Sequence, residues 1–121
     1  MAMRILVVDD NAAVRRLIRQ IVSEIADEVY ECFDGDQSLL AYRDLCPDLV
    51  LMDVRMPSMD GLTATRHLNT AYPAAKVVIV TDYDDDEVRL AAKEAGACGY
   101  ALKQNLMVLG DMIRNLCEPA D

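Results

Sequence analysis

The sequence predicts an α/β domain in which a doubly wound, five-stranded parallel sheet carries helices on both faces. Three observations predict it: five short apolar runs rich in β-branched residues, an amphipathic stretch after each, and short connections between them. Right-handed crossovers then leave few arrangements other than a parallel sheet covered on both sides. At 121 residues the chain supports one domain with one core, residues 1–121.

Ile5-Leu6-Val7-Val8 opens the series, and a run this short and uniform suits a strand buried on both faces. Asn11 offers an N-cap, after which Val14, Leu17, Ile18, Ile21, Val22 and Ile25 recur at helical spacing, with Arg15, Arg16, Arg19 and Glu24 opposite. Glu28 to Phe33 reads as the second strand, Asp34-Gly35 as a turn, and Gln37 to Arg43 as a second helix closed by Pro47. Leu49-Val50-Leu51-Met52 is the third strand, and a loop with Pro57 and Gly61 leads to a helix ending near Tyr72-Pro73. Val77-Val78-Ile79-Val80 is the fourth strand; Val88, Ala91, Ala92 and Ala95 mark the next helix, which Gly96 stops. Tyr100-Ala101-Leu102 lies on a fifth strand, and Leu106, Leu109, Met112, Ile113 and Leu116 line one face of a final helix. The sequence ends at Glu118-Pro119-Ala120-Asp121, with no output domain within it.

Composition narrows the function. Hydrophobic residues at 53% and charged residues at 27% suit a packed globule rather than a disordered chain. Twelve Lys plus Arg against 21 Asp plus Glu leave a net charge of -9, which repels phosphate backbones and argues against direct nucleic-acid binding. No apolar stretch approaches the ~18–20 residues of a membrane span, and the first residues do not read as a signal peptide. Cys32, Cys46, Cys98 and Cys117 lie far apart with no C-x-x-C pair, so scattered buried thiols in a reducing cytoplasm are expected rather than a zinc site. His67, in the polar helical stretch Thr65-Arg66-His67, is expected to be a solvated helix residue.

The informative feature is what terminates each apolar strand. The first run ends in Asp9-Asp10, the third in Asp53, the fourth in Thr81 and the fifth in Lys103. In an open parallel sheet the carboxyl ends of the strands share one edge, where ligands bind at the reversal of strand order. Each residue has a local alternative: Asp9 or Asp10 as a cap of the first helix, Thr81 as a cap of the fourth, Asp53 as a turn residue, Lys103 as a snorkelling side chain. Their shared position favours one site. Two unit charges about 4 Å apart repel by roughly 4 kcal/mol at an effective dielectric of about 20, so three carboxylates call for a cation or for protonation. All-oxygen ligation suits Mg2+, and with a lysine and a hydroxyl it makes a site for a phosphoryl group, a carboxylate serving as nucleophile.

These residues resemble the receiver domain of two-component response regulators: Asp9-Asp10, Asp53-Val54-Arg55-Met56-Pro57 with Asp60-Gly61, Thr81, and Gly99-Tyr100-Ala101-Leu102-Lys103. The resemblance spans nearly the whole chain and implies a flavodoxin-like (βα)5 fold with strand order 2-1-3-4-5. It implies that Asp53 accepts a phosphoryl group from a sensor histidine kinase. Asp10, Asp53 and the backbone carbonyl of Arg55 would ligate Mg2+ directly, and Asp9 through water. Thr81 and Lys103 would contact phosphoryl oxygens, Tyr100 would occupy the aromatic switch position, and the chain would catalyse only its own phosphorylation and dephosphorylation. The segments after the third and fourth strands look like those of NarL/FixJ-type transcription regulators, in which DNA is bound only through a C-terminal domain. Homodimers would form through the face of the fourth helix, fifth strand and fifth helix, or through the first and fifth helices.

Four residues depart from the commonest family pattern. Asp82 follows Thr81 where a small residue is frequent, and Gln104 follows Lys103 where proline is frequent. Arg55 and Tyr83 stand where the family flanks the path of attacking water, so bulky side chains there are expected to slow hydrolysis. Asp82, Asp84, Asp85, Asp86 and Glu87 are expected to interact with the N-terminus of the fourth helix, the alternative being an acidic edge that selects a basic partner. A phosphorylation-independent adaptor of the same fold is the main alternative, although all five site residues are present. A flavodoxin-like cofactor protein would need a Ser/Thr/Gly-rich loop where this chain has Asp9-Asp10-Asn11, and an aspartyl phosphatase would need a D-x-D motif where it has Asp53-Val54-Arg55.

Overall fold

The computed structural model describes residues 2–117, over which strands and helices alternate throughout. In chain order these are β1 (Arg4–Val8), α1 (Ala12–Val22), β2 (Glu28–Cys32), α2 (Gly35–Leu45), β3 (Leu49–Met52) and α3 (Gly61–Ala71). There follow β4 (Val77–Thr81), α4 (Asp86–Ala95), β5 (Gly99–Leu102), a 3-10 segment (Lys103–Val108) and α5 (Leu109–Cys117). All strand pairs are parallel, in the order β2-β1-β3-β4-β5. The order reverses between β1 and β3, so the crevice at their carboxyl ends is the expected ligand site.

The strands are apolar without alternation because both faces are covered. Ile5, Val7, Leu49, Leu51, Val78 and Val80 pack with Ile18 and Val22 of α1 and Leu109 and Ile113 of α5. Leu6, Val8, Val50, Met52, Val77 and Ile79 face the other way, toward Tyr42 of α2, Ala64 and Leu68 of α3, and Ala92 of α4. The two cores hold β1 and β3 rigid, and with them the residues that follow each strand.

Several boundaries differ from the sequence reading. α1 ends at Val22, and Ile25 lies beyond it in a turn whose Ile25 and Ala26 N–H groups both donate to the Val22 carbonyl. Leu17 faces out, 47% exposed. β2 stops at Cys32, and Asp34 is the N-cap of α2 rather than a turn residue, its carboxylate accepting from Asp36 N. Leu106 belongs to the 3-10 segment, which is broken at Asn105, and α5 starts only at Leu109.

The cysteine expectation needs correcting. Cys32 is buried, which raises its thiol pKa, but Cys46 and Cys98 are exposed. Cys46 caps the end of α2 in a left-handed conformation (φ 47°), and Cys98 sits in the turn before β5. The Cys117 side chain and residues 118–121 lie outside the described residues. His67 is exposed on α3, as expected. No helix among the described residues is long and apolar enough to cross a membrane.

Candidate functional site

The helix-capping alternatives for the strand-end residues are taken by neighbours. Asn11 caps α1, its side-chain oxygen accepting from Ala13 N at 2.9 Å and Val14 N at 3.2 Å. Asp85 caps α4 by accepting from Glu87 N at 2.8 Å, and Thr81 is the last residue of β4. Asp9 and Asp53 are buried at the ends of β1 and β3, one strand apart in the sheet. Lys103 follows β5 with its side chain 12% exposed, too enclosed to be snorkelling.

The topology brings four of these groups together. One carboxylate oxygen each from Asp9, Asp10 and Asp53 lies within 4.8 Å of the others. The Lys103 ammonium sits 2.8 Å from Asp9 Oδ2 and 3.1 Å from Asp53 Oδ1. Burial, then the charge of Asp9, push the Asp53 carboxyl up to about 6, and Lys103 limits the rise. Burial works against the charge of Lys103, yet the two carboxylates outweigh it and hold the ammonium's pKa above its ordinary value. Asp53 Oδ1 also accepts from Val54 N at 2.9 Å, and Asp9 Oδ1 from Asn11 N at 2.8 Å.

The cluster fits a hard divalent cation. Asp9 Oδ2 is buried with no aligned hydrogen-bond donor, only the nearby ammonium, so a strong acceptor is left underused. Three carboxylates, one of them exposed to solvent, form an all-oxygen set that leaves room for water ligands, as Mg2+ requires.

The loop after β3 is tightly constrained. Gly61 has no alternative, because a Cβ there would lie 1.7 Å from the Asp53 carbonyl oxygen. Asp34, expected as part of a turn, reaches into this loop and accepts from Ser58 N at 2.9 Å and Met59 N at 3.2 Å. These backbone donors hold its carboxyl below the ordinary range. An Asp two residues before a helical Asp-Gln pair is itself a capping signal, which could have revealed half of this role.

Thr81, Arg55 and Tyr100 meet at Tyr83. The Thr81 hydroxyl accepts from Tyr83 N at 3.3 Å, and the Tyr100 hydroxyl donates to the Tyr83 carbonyl at 2.5 Å. The exposed Arg55 guanidinium lies over the Tyr83 ring, 4.6 Å from its centroid. On the far side Arg89 covers the Tyr100 ring at 4.5 Å and pairs with Asp84 at 3.0 Å. Thus Tyr100 stands outside the carboxylate cluster but is one residue's backbone away from the Thr81 hydroxyl. The acidic run is accounted for at the helix start, where Asp85 caps, Asp86 and Glu87 occupy the first turn and Asp84 holds Arg89; Asp82 is exposed and outside the carboxylate cluster.

Residues 5–114 match the family described as the response regulator receiver domain. The chain is 43% identical over 102 residues to the response regulator GacA of Pseudomonas viridiflava, which covers 83% of this chain and 48% of that protein. It is 35% identical over 103 residues to the chemotaxis protein CheY of Halobacterium salinarum, covering 85% and 86%. A LuxR-family two-component response regulator from Aurantimonas sp. SI85-9A1 superposes with TM-score 0.85 at 31% identity, over 96% of this chain and 86% of that one. A CheY-like receiver domain protein from Methanospirillum hungatei gives 0.83 at 26% identity, over 96% and 94%. This chain spans about half the length of GacA.

Proposed function

The chain belongs to the response regulator receiver domain family, and from that we infer that Asp53 is the residue that takes the phosphoryl group. Receiver identity and the Asp9, Asp10, Asp53 cluster support a Mg2+-dependent phosphoacceptor that catalyses its own phosphotransfer rather than turning over a substrate. The observation that carries the assignment is the Asp53 carboxylate, buried beside Asp9 and bridged to it by the Lys103 ammonium at the point where the strand order reverses.

An Asp53 oxygen attacks phosphorus in line; an O–P bond forms as the bond to the donor histidine nitrogen of a sensor kinase breaks. With its pKa near 6, Asp53 is mostly ionised at neutral pH and ready to act as nucleophile. Lys103, already 3.1 Å from Asp53 Oδ1, follows the charge onto the phosphoryl oxygens. Asp10, Asp53 and the Arg55 backbone carbonyl, with Asp9 acting through water, would hold Mg2+, which would supply positive charge to offset that of the phosphoryl group. The Thr81 hydroxyl turns from Tyr83 N toward a phosphoryl oxygen, which frees the Tyr83 peptide and lets Tyr100 turn inward. That biases a two-state equilibrium in the surface of α4, β5 and α5. In a cytoplasmic regulator this surface, or that of α1 and α5, would pair two copies and control a transcriptional output domain. Treatment with acetyl phosphate and Mg2+ is expected to give a hydroxylamine-labile acyl phosphate; a label that resists hydroxylamine rejects carboxylate chemistry.

The stack of Arg55 on Tyr83 links two loops, at the positions that the family resemblance puts beside the path of attacking water. The Arg55→Asn, Tyr83→Ala double variant is expected to dephosphorylate faster than wild type, by about tenfold if the pair excludes water at a cost of roughly 1.4 kcal/mol. Decay of isolated phosphoprotein measures it, and an equal or slower rate in the variant rejects the role.

A further inference from the structure

The β1–α1 turn has an anchor outside the phosphoryl site. Asp9 N still donates to the Cys32 carbonyl at 3.1 Å, but β2 ends there and Phe33 N turns to Gln37 Oε1. The next parallel rung would bring Asp34 N to the Asp9 carbonyl, but Asp34 has turned to cap α2 and that bond is not made. Arg15, on the first turns of α1, fills the position: its Nη1 donates to the Asp9 carbonyl at 2.7 Å. Its Nε pairs with Glu31 Oε1 at 3.1 Å, and its guanidinium lies 6.0 Å from the Phe33 ring centroid. Arg19 grips the other Glu31 oxygen at 3.0 Å and reaches Val29 O at 3.2 Å. The Arg15 side chain is 17% exposed, a guanidinium fixed between the strand edge and the turn.

A planar peptide ties the direction of a carbonyl to the atoms that follow it. Holding the Asp9 carbonyl restrains the plane of the Asp9–Asp10 peptide, and so the N–Cα bond of Asp10 about which its side chain swings. Asp9 has its own restraints in Asn11 N and Lys103, whereas Asp10 is exposed. Its place in the carboxylate cluster depends on the backbone.

We propose that Arg15 is a positioning residue that holds the β1–α1 turn so that Asp10 faces the carboxylate cluster, thereby setting the chain's affinity for a divalent cation. The proposal rests on the metal-binding reading of Asp9, Asp10 and Asp53. Arginine is suited to the task because its fork serves the carbonyl and Glu31 together; a lysine's point charge cannot span both.

Calorimetric titration of the whole, unphosphorylated chain with MgCl2 tests this. Arg15→Lys and Arg15→Gln are expected to weaken Mg2+ binding by about tenfold, the usual loss when a residue orienting a metal ligand is removed. In the acetyl phosphate reaction the Mg2+ concentration for half-maximal rate rises, while the rate at saturating Mg2+ stays within about twofold of wild type. Arg19→Gln removes a Glu31 contact but leaves the Asp9 carbonyl bond, and is expected to bind Mg2+ as wild type does. Unchanged affinity in both Arg15 variants overturns the proposal, as does an equal loss in Arg19→Gln, which would assign the effect to packing of α1 on β2. A wild-type chain that binds no Mg2+ overturns the metal reading itself, an outcome distinct from the other two.

Discussion

Asp53→Asn is expected to make the metal-free protein more stable at pH 7, not less. A carboxyl with pKa about 6 in the fold and 3.8 outside it is a liability once ionised, worth up to roughly 3 kcal/mol at neutral pH. Between about pH 4 and 6 the folded chain binds a proton that the unfolded chain does not, so wild-type stability falls as pH rises through that window. Asparagine keeps the shape and drops the charge, and it leaves Lys103 paired with Asp9. Urea denaturation in EDTA should show the variant ahead by about 1–3 kcal/mol at pH 7, with the difference shrinking toward pH 4. A variant equal to or below wild type at pH 7 would mean that Asp53 is not electrostatically strained in the resting fold.

Lys103→Met is expected to have the opposite effect on stability and a large effect on chemistry. It leaves Asp9 and Asp53, both buried, without their ammonium, and removing one partner of a buried ion pair costs about 3–5 kcal/mol. Part of that loss is relieved by protonation, because Lys103 is what limits the rise in the Asp53 pKa. Mg2+ should restore stability to the variant more than to wild type. The rate of phosphorylation by acetyl phosphate should fall by about 10²-fold or more at pH 7, from loss of charge stabilisation and from a less ionised nucleophile. Its pH–rate profile should shift upward. A rate within about tenfold of wild type at saturating Mg2+ contradicts the role given to Lys103.

Much of this was legible in the sequence, for a physical reason. A parallel strand buried on both faces reads as an uninterrupted apolar run, and Ile5–Val8, Leu49–Met52 and Val77–Val80 could hardly be anything else. The residue after such a run has a fixed place, so Asp9, Asp53, Thr81 and Lys103 fell on one rim of the sheet. Contacts between loops were not legible. Asp34 looked like half of an Asp-Gly turn, and nothing local indicates that its carboxylate also holds Ser58 and Met59. Tyr83 works partly through its backbone N–H and carbonyl, which carry no side-chain signature. Arg15 looked like one more cation on the solvent face of an amphipathic helix. Leu106 keeps helical spacing with Leu109, although it lies in the 3-10 segment that precedes α5.

The most direct test is to locate the phosphoryl group. The chain is treated with acetyl phosphate and Mg2+, the acyl phosphate is reduced with borohydride, and the modified residue is identified by peptide mass spectrometry. Modification of Asp53 alone is expected, lost when EDTA replaces Mg2+ and absent from Asp53→Asn. Modification of another residue, or labelling of Asp53→Asn at the wild-type level, contradicts the assignment of Asp53.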